Sequence, residues 1–524
     1  MSQIKVSDLT FRYDNSYELI FDHTSFVLDT DWKLGFIGRN GRGKTTLLQL
    51  LLGKHEYLGE IETSVQFEYF PYDFPRETTA LQAVKESIAP FSQWERQMET
   101  CIHSGSEEDM IRYGELLDMY LAHDGYIIDE LIQREAGKLA LSPEILSRPI
   151  SVISPGEQTK LKLAALFLKK NAFLLIDEPT NHLDMLGRQQ LAEYLNGKKG
   201  FILVSHDRAF LNRCIDHVLS INRTTIEVQR GNYESWEENR QRREQSERDR
   251  NEHLKKDIGR LEEAARRGVT WADKVEGSKI GGHSADRGFI GAQAARMMKR
   301  AKSLERRREE AIEEKKTLLR DVEEVSALKM NLLPFHKERM IQLEKLSLAL
   351  GAKKLFTEFS MEICRGERIA LRGGNGCGKS TLLKLIMGAD YEFQGKLYVA
   401  EGLKISYISQ DTSFLSGSLR DYAKAHGLRE TTLMTVLRQL DFPREHFEKP
   451  MEYYSEGQKK KVLLARSLSE EAHLFIWDEP LNYIDVISRI QLERVILEYC
   501  PTMLFVEHDE TFSGKVATEI LELG

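Results

Sequence analysis

Two glycine-rich runs in this chain end in a lysine and a hydroxyl residue. They are Gly38-Arg39-Asn40-Gly41-Arg42-Gly43-Lys44-Thr45 and Gly373-Gly374-Asn375-Gly376-Cys377-Gly378-Lys379-Ser380, 335 residues apart. That order of residues builds a phosphate site. The glycines let backbone N–H groups close around an anion at a helix N-terminus, and the lysine reaches the outer phosphate oxygens. The hydroxyls of Thr45 and Ser380 suit a Mg²⁺ ion, and Thr46 and Thr381 extend each loop. One such run can be a chance turn; two in parallel contexts are not.

Each loop is followed, in the same order, by further reactive groups. Leu174-Leu175-Ile176-Asp177-Glu178 and Leu474-Phe475-Ile476-Trp477-Asp478-Glu479 are apolar strands ending in paired carboxylates. Asp177 and Asp478 suit the Mg²⁺ shell, while Glu178 and Glu479 suit a base that polarises an attacking water. Val204-Ser205-His206-Asp207 and Val506-Glu507-His508-Asp509 place a histidine after the next apolar strand, read as a γ-phosphate sensor that helps orient the water. Ser154-Pro155-Gly156-Glu157-Gln158 and Ser455-Glu456-Gly457-Gln458 open helices about 20 residues before the acidic strands. Alone, Ser-x-Gly at a helix start is only a cap.

In this setting those serines and glycines resemble the signature of the ABC ATPase superfamily. The resemblance implies that Ser154 with Gly156, and Ser455 with Gly457, face the γ-phosphate held by the other half. Two ATP molecules would then be sandwiched within one monomer. Tyr13 could stack on adenine in the first half, where the second has Leu350, and Gln410 would line the Mg²⁺ and water.

The elements that must position these groups repeat as well. Strands at Leu34–Gly38, Phe173–Asp177 and Phe201–Ser205 recur as Arg368–Arg372, Leu474–Asp478 and Met503–Glu507. Strands alternating with helices imply an α/β fold with largely parallel sheets. The expected domains are 1–230, a helical linker at 231–335, and 336–524. Tyr72 to Ser154 spans 82 residues where Gln410 to Ser455 spans 45, an excess of 37 in the first half. Helices at Ser92–Asp109 and Arg112–Ala122 are expected there, as an insertion at about 85–135.

Between the halves the composition changes. Leu254, Ile258, Leu261 and Ala265, then Met297, Ala301, Leu304, Ala311, Leu318, Val322 and Val325, follow one heptad register, with Arg308 and Lys315 at two seam positions. This predicts two long antiparallel helices, each roughly 50 Å at 1.5 Å rise per residue. The chain carries a net charge of −8, which excludes a uniformly basic nucleic-acid binder, yet residues 266–302 hold nine Lys and Arg against three Asp and Glu. No apolar run reaches the ~18–20 residues needed to cross a bilayer, and nothing at Met1–Leu9 reads as a secretion signal. The five cysteines are scattered without metal-ligand spacing, as in a reduced cytoplasmic protein.

Glu178-Pro179-Thr180-Asn181-His182-Leu183-Asp184, the tandem halves and the long charged linker together resemble the ABC-F family of ribosome-acting ATPases. By that resemblance the 37-residue excess is the arm, and the hairpin enters the tRNA exit site of the bacterial 70S ribosome towards the 23S rRNA and the P-site tRNA. The tip, with Trp271, Lys274, Lys279, Arg287, Phe289, Arg296, Lys299 and Arg300, is similar to the Lsa-like antibiotic-resistance branch. Those proteins dislodge lincosamides, pleuromutilins and streptogramin A compounds. Trp271 and Phe289 either stack on RNA bases or hold the tip loop together. Two alternatives stay open: a translation factor for stalled ribosomes, and the ATPase subunit of a transporter.

The copies also differ. Tyr72 stands opposite Gln410, Leu481 and Tyr483 replace the family's Thr and His, and Pro155 and Glu456 occupy the signature's second position. Unequal ATP sites are therefore expected. Only 16 residues follow His508, so no C-terminal ribosome-binding extension is expected.

Overall fold

The computed structural model describes residues 2–13, 19–39, 41–181, 183–221, 226–243, 328–351, 353–374 and 376–523, with 245–246, 249–250, 252–254 and 256–257. By internal contacts the chain forms two compact units, Met1–Glu234 with Ala327–Gly524, and Ser235–Ser326. Within the smaller unit residues 235–243 are helical, and Arg240 pairs with Glu237 at 2.8 Å. Leu254 lies in a described helical stretch. The remaining heptad positions and all eight tip residues, Trp271 to Arg300, lie outside the described residues, as do Asn40, His182 and Asn375.

The larger unit holds both halves. In the first, strands such as Phe201–Val204 are buried along their whole length, the pattern of strands covered on both faces. Six strands form one sheet in the order Gln66–Phe70, Ala172–Asp177, Phe201–Val204, Lys33–Ile37, His217–Ile221, Ile226–Arg230, with only the last pair antiparallel. The second half repeats this as Ile405–Ile408, Leu474–Asp478, Met503–Val506, Arg368–Arg372, Glu519–Glu522, all parallel. In both sheets the strands leading to the phosphate loop, the carboxylate pair and the histidine are neighbours running the same way. Their carboxyl ends therefore bring all three groups to one edge, the usual ligand edge of a parallel sheet.

Each half adds an antiparallel three-stranded sheet: Phe21–Asp29, Gln3–Phe11, Leu58–Glu62 and Lys353–Cys364, Arg339–Leu350, Phe393–Val399. Their inner residues pack on the parallel sheet and the helix after the phosphate loop. In the second half Ile341, Leu343 and Ile363 join Leu383 and Ile476 in one core. In the first, Ile4, Val6 and Leu28 join Leu47 and Phe173.

The helical excess of the first half resolves into Phe91–Ser104 and Glu107–Ala122. Helices Ala80–Ile88 and Ile128–Lys138 flank that hairpin, as Leu419–Ala425 and Glu430–Gln439 stand in the second half. The expected helix Ser92–Asp109 stops at Ser104. Gly105 takes a left-handed φ of 62° there, and the Ser106 side chain caps the next helix by accepting from the Asp109 amide.

Candidate active sites

Both phosphate loops turn directly into helices, Lys44–Leu51 and Lys379–Ile386. The residues at the turn, Gly43 and Gly378, have φ of 90° and 106°, and a Cβ on Gly43 would sit 2.5 Å from Ile20 Cγ2. Glycine is required there on both counts. Lys44 Nζ donates to the carbonyls of Gly38 (2.6 Å) and Arg39 (3.1 Å), and Lys379 Nζ to those of Gly373 (2.8 Å) and Gly374 (2.9 Å). The backbone of both loops closes likewise: the amides of Arg42 and Cys377 donate to Arg39 and Gly374 at 3.4 Å.

Glu178 and Glu479 carry φ of 50° and 47°, a strained conformation for a non-glycine residue. Their amides donate to Val204 (2.9 Å) and Val506 (3.0 Å), which locks each onto the strand that leads to the histidine. His206 Nε2 lies 3.4 Å from Glu178 Oε1, and His508 Nε2 lies 3.3 Å from Glu479 Oε1. Two arginines that sequence reasoning missed brace these loops. Arg489 donates to the carbonyls of Ile484 and Leu481 (both 2.9 Å) and to Asp509 (3.0 Å). Arg188 does the same to Leu183 (3.1 Å) and Asp207 (2.9 Å). Each stands four residues after an aspartate, Asp184 or Asp485, and that recurrence was the available signal.

Beyond this shared frame the sites diverge. Glu479 Oε2 accepts from Gln410 Nε2 (2.8 Å) and Asn482 Nδ2 (2.7 Å). Burial pushes Glu479 up, but His508 beside it, with Lys460 and Lys379 beyond, outweighs that and holds the carboxyl below its usual range. Tyr72 instead turns into its own half, its hydroxyl donating to the Lys162 carbonyl at 3.2 Å. Glu178 Oε1 is buried without a hydrogen-bond partner among the described residues. Burial first, then the adjacent Asp177, pushes Glu178 well above the carboxylate range. His206 is depressed by burial and by Lys44 and Arg489.

The metal candidates differ too. Asp177 Oδ2 accepts from Thr45 (3.3 Å) and Tyr69 (3.2 Å). Asp478 is 1 % exposed, with Ser380 close by, yet neither carboxylate oxygen has a well-formed hydrogen bond among the described residues. Burial raises its pKa to about 6. A buried anionic pair of oxygens beside a hydroxyl and a phosphate loop is a donor set that fits a hard divalent cation.

Ser154 and Ser455 each close a capping box at the start of helices Pro155–Leu168 and Glu456–Ser469. The two halves meet across the second phosphate loop. A cleft of about 820 Å³ has Lys379, Ser380, Thr381, Gln410, Glu479 and His508 on one side and Ser154, Gly156, Asn181 and Asp184 on the other. Gly376, Leu350 and Leu355 are also in its lining, so aliphatic side chains stand where the first half has Tyr13. Tyr13 bonds Thr46 Oγ1 at 3.0 Å and packs edge-on to Phe11. At the first loop, the charges of Asp485 and Lys461 from the second half act on the buried Lys44, and Arg39 approaches Asp441 at 3.9 Å. Gly457 sits against Tyr483, where a Cβ would come 2.8 Å from the tyrosine carbonyl. Buried Arg208 pairs with Glu493 and reaches Asp509 at 3.5 Å, tying the halves together.

A family model described as ABC transporter matches residues 21–181 and 356–482, more than half of the chain. Ribosome protection protein VmlR of Bacillus subtilis is 26% identical, over 97% of this chain and 85% of VmlR. ABC transporter F family member 5 of Arabidopsis thaliana is 25% identical, over 94% of this chain and 71% of its own length. Among solved structures, an RNase-L inhibitor superposes with a TM-score of 0.59 at 18% identity, over 98% of this chain and 87% of that one, which shows the shared fold. Among the described residues no helix is long and apolar enough to cross a membrane. The chain belongs to the ABC transporter family, as an ABC-F ATPase with two ABC domains in tandem that binds and hydrolyses ATP.

Proposed function

We propose that this ATPase closes its two halves on ATP, binds the bacterial 70S ribosome in that state, and inserts the tip of its linker through the tRNA exit site. There the tip would approach the peptidyl-transferase centre, between 23S rRNA and the P-site tRNA, and displace lincosamides, pleuromutilins or streptogramin A. Hydrolysis would then drive release into the cytoplasm. The observation that carries the ATP-driven closure is the second cleft, with the phosphate loop of one half against Ser154 and Gly156 of the other. Similarity to a ribosome protection protein along 97% of the chain supports the target.

In this reading Lys44, Lys379 and the loop amides hold the phosphates, and the opposing serines complete the site only when the halves meet. Glu178 and Glu479 orient and accept a proton from water, with His206 and His508 fixing the position of the outer phosphate. Mg²⁺ bound by Thr45 with Asp177, and by Ser380 with Asp478, would neutralise phosphate charge. The domains divide at about 230 and 335.

The displacement step is tested by expressing the chain in a susceptible host, with a variant lacking residues 271–290 as control. The expected result is reduced inhibition by lincomycin and tiamulin that disappears with the tip. Unchanged susceptibility at good expression would contradict it and favour a translation factor without a resistance role.

A further inference from the structure

We infer that Glu507 is a positioning residue of the second ATP site, where one carboxylate does what two hydroxyls do in the first. In the first half, Thr180 follows the Glu178-Pro179 pair and Ser205 precedes His206. Both side chains are buried, and their hydroxyl oxygens lie 3.3 Å apart. Ser205 Oγ also accepts from the Asp207 amide at 3.2 Å. This pair ties the loop leaving Glu178 to the segment that carries the histidine.

In the second half neither partner is present. Leu481 replaces the threonine and has no group to share, and Glu507 replaces the serine. The longer side chain reaches past the leucine to the backbone. Glu507 Oε1 accepts from the Leu481 amide at 2.7 Å, and Oε2 accepts from the His508 amide at 3.0 Å. Glu507 is 5% exposed and Leu481 0%. Hydrogen bonds from backbone N–H to a buried carboxylate are short and strong, and each would leave an unsatisfied donor if removed. The tie across the loop thus survives in a different chemistry, and the two replacements make sense only together.

What the tie sets is the spacing of Glu479 and His508. The Leu481 amide is two residues beyond Glu479, and the His508 amide belongs to the histidine itself. Arg489, which holds the Leu481 carbonyl at 2.9 Å, braces the same loop. Glu507 is not among the residues that line the cleft. It acts through its neighbours, and this role rests on the assignment of Glu479 and His508 to the chemistry of the second site.

The test compares ATP hydrolysis, KM and thermal midpoint for the purified full chain carrying Glu507→Ser, Glu507→Gln, Leu481→Thr with Glu507→Ser, and Glu479→Gln. Glu507→Ser should lower kcat about tenfold or more with KM within about twofold, since a small misplacement of reacting groups costs rate rather than binding. Glu507→Gln, which keeps one acceptor, should fall between. The paired change, which installs the first half's two hydroxyls, should recover kcat to within about threefold of wild type. If Glu507→Ser does not fold, the other two variants decide. A folded Ser or Gln variant at wild-type kcat, or a folded pair without recovery, overturns the positioning role alone when Glu479→Gln is inactive. Wild-type kcat in Glu479→Gln overturns the site assignment and the positioning role with it.

Discussion

The second ATP site fixes its proposed base, Glu479, with three side chains, and the first leaves its proposed base, Glu178, largely to its own surroundings. Glu479 takes Gln410 and Asn482 on one oxygen and faces His508 with the other. Glu178 faces His206 at 3.4 Å, with Oε1 buried and without a hydrogen-bond partner among the described residues, and Tyr72, in place of Gln410, points into its own half. The scaffolds behind them are nearly the same, down to the strained backbone of both glutamates. So one fold places two carboxylates alike, and their surroundings shift them oppositely: His508 with Lys460 and Lys379 holds Glu479 down, while burial and Asp177 push Glu178 up. A carboxylate kept in the charged form by positioned donors serves as a base, whereas a desolvated one tends to hold its proton.

The sharpest way to break this comparison is to remove each base separately. Glu479→Gln should cut ATP turnover by about a hundredfold, the range of a general base, while Glu178→Gln should leave at least about half. Equal losses from both, in steady-state hydrolysis, would show that the sites act as one unit. A smaller effect separates the neighbours. Gln410→Ala should lower kcat about tenfold by releasing Glu479. Tyr72→Ala should leave kcat within about twofold but destabilise the fold by about 2 kcal/mol, since the ring packs edge-on to Phe74 and beneath Lys162. A drop in kcat for Tyr72→Ala without loss of stability would place the tyrosine in the first site after all.

Much of this was legible before any coordinates. The phosphate loops, carboxylate pairs and histidines declare themselves because phosphate chemistry demands fixed residue types at fixed spacing, and duplication removes the chance reading. The inequality of the sites was legible as well, in Tyr72 against Gln410 and in Leu481 against Thr180. The antiparallel sheets were not, because their pairing joins strands such as Gln3–Phe11 and Leu58–Glu62 from either side of the phosphate loop, and no local pattern records a partner that distant. Glu507 stands where the first half has Ser205, and only its two backbone contacts reveal the exchange with Leu481.

The account's central claim is that closure on ATP produces the ribosome-bound state and that hydrolysis ends it. Co-sedimentation with 70S ribosomes tests this most directly, using the chain with Glu178→Gln and Glu479→Gln together. The account predicts that with ATP the double variant pellets with ribosomes while the wild type largely stays in the supernatant, and that neither pellets with ADP. A double variant that sediments no better than wild type in ATP would contradict it.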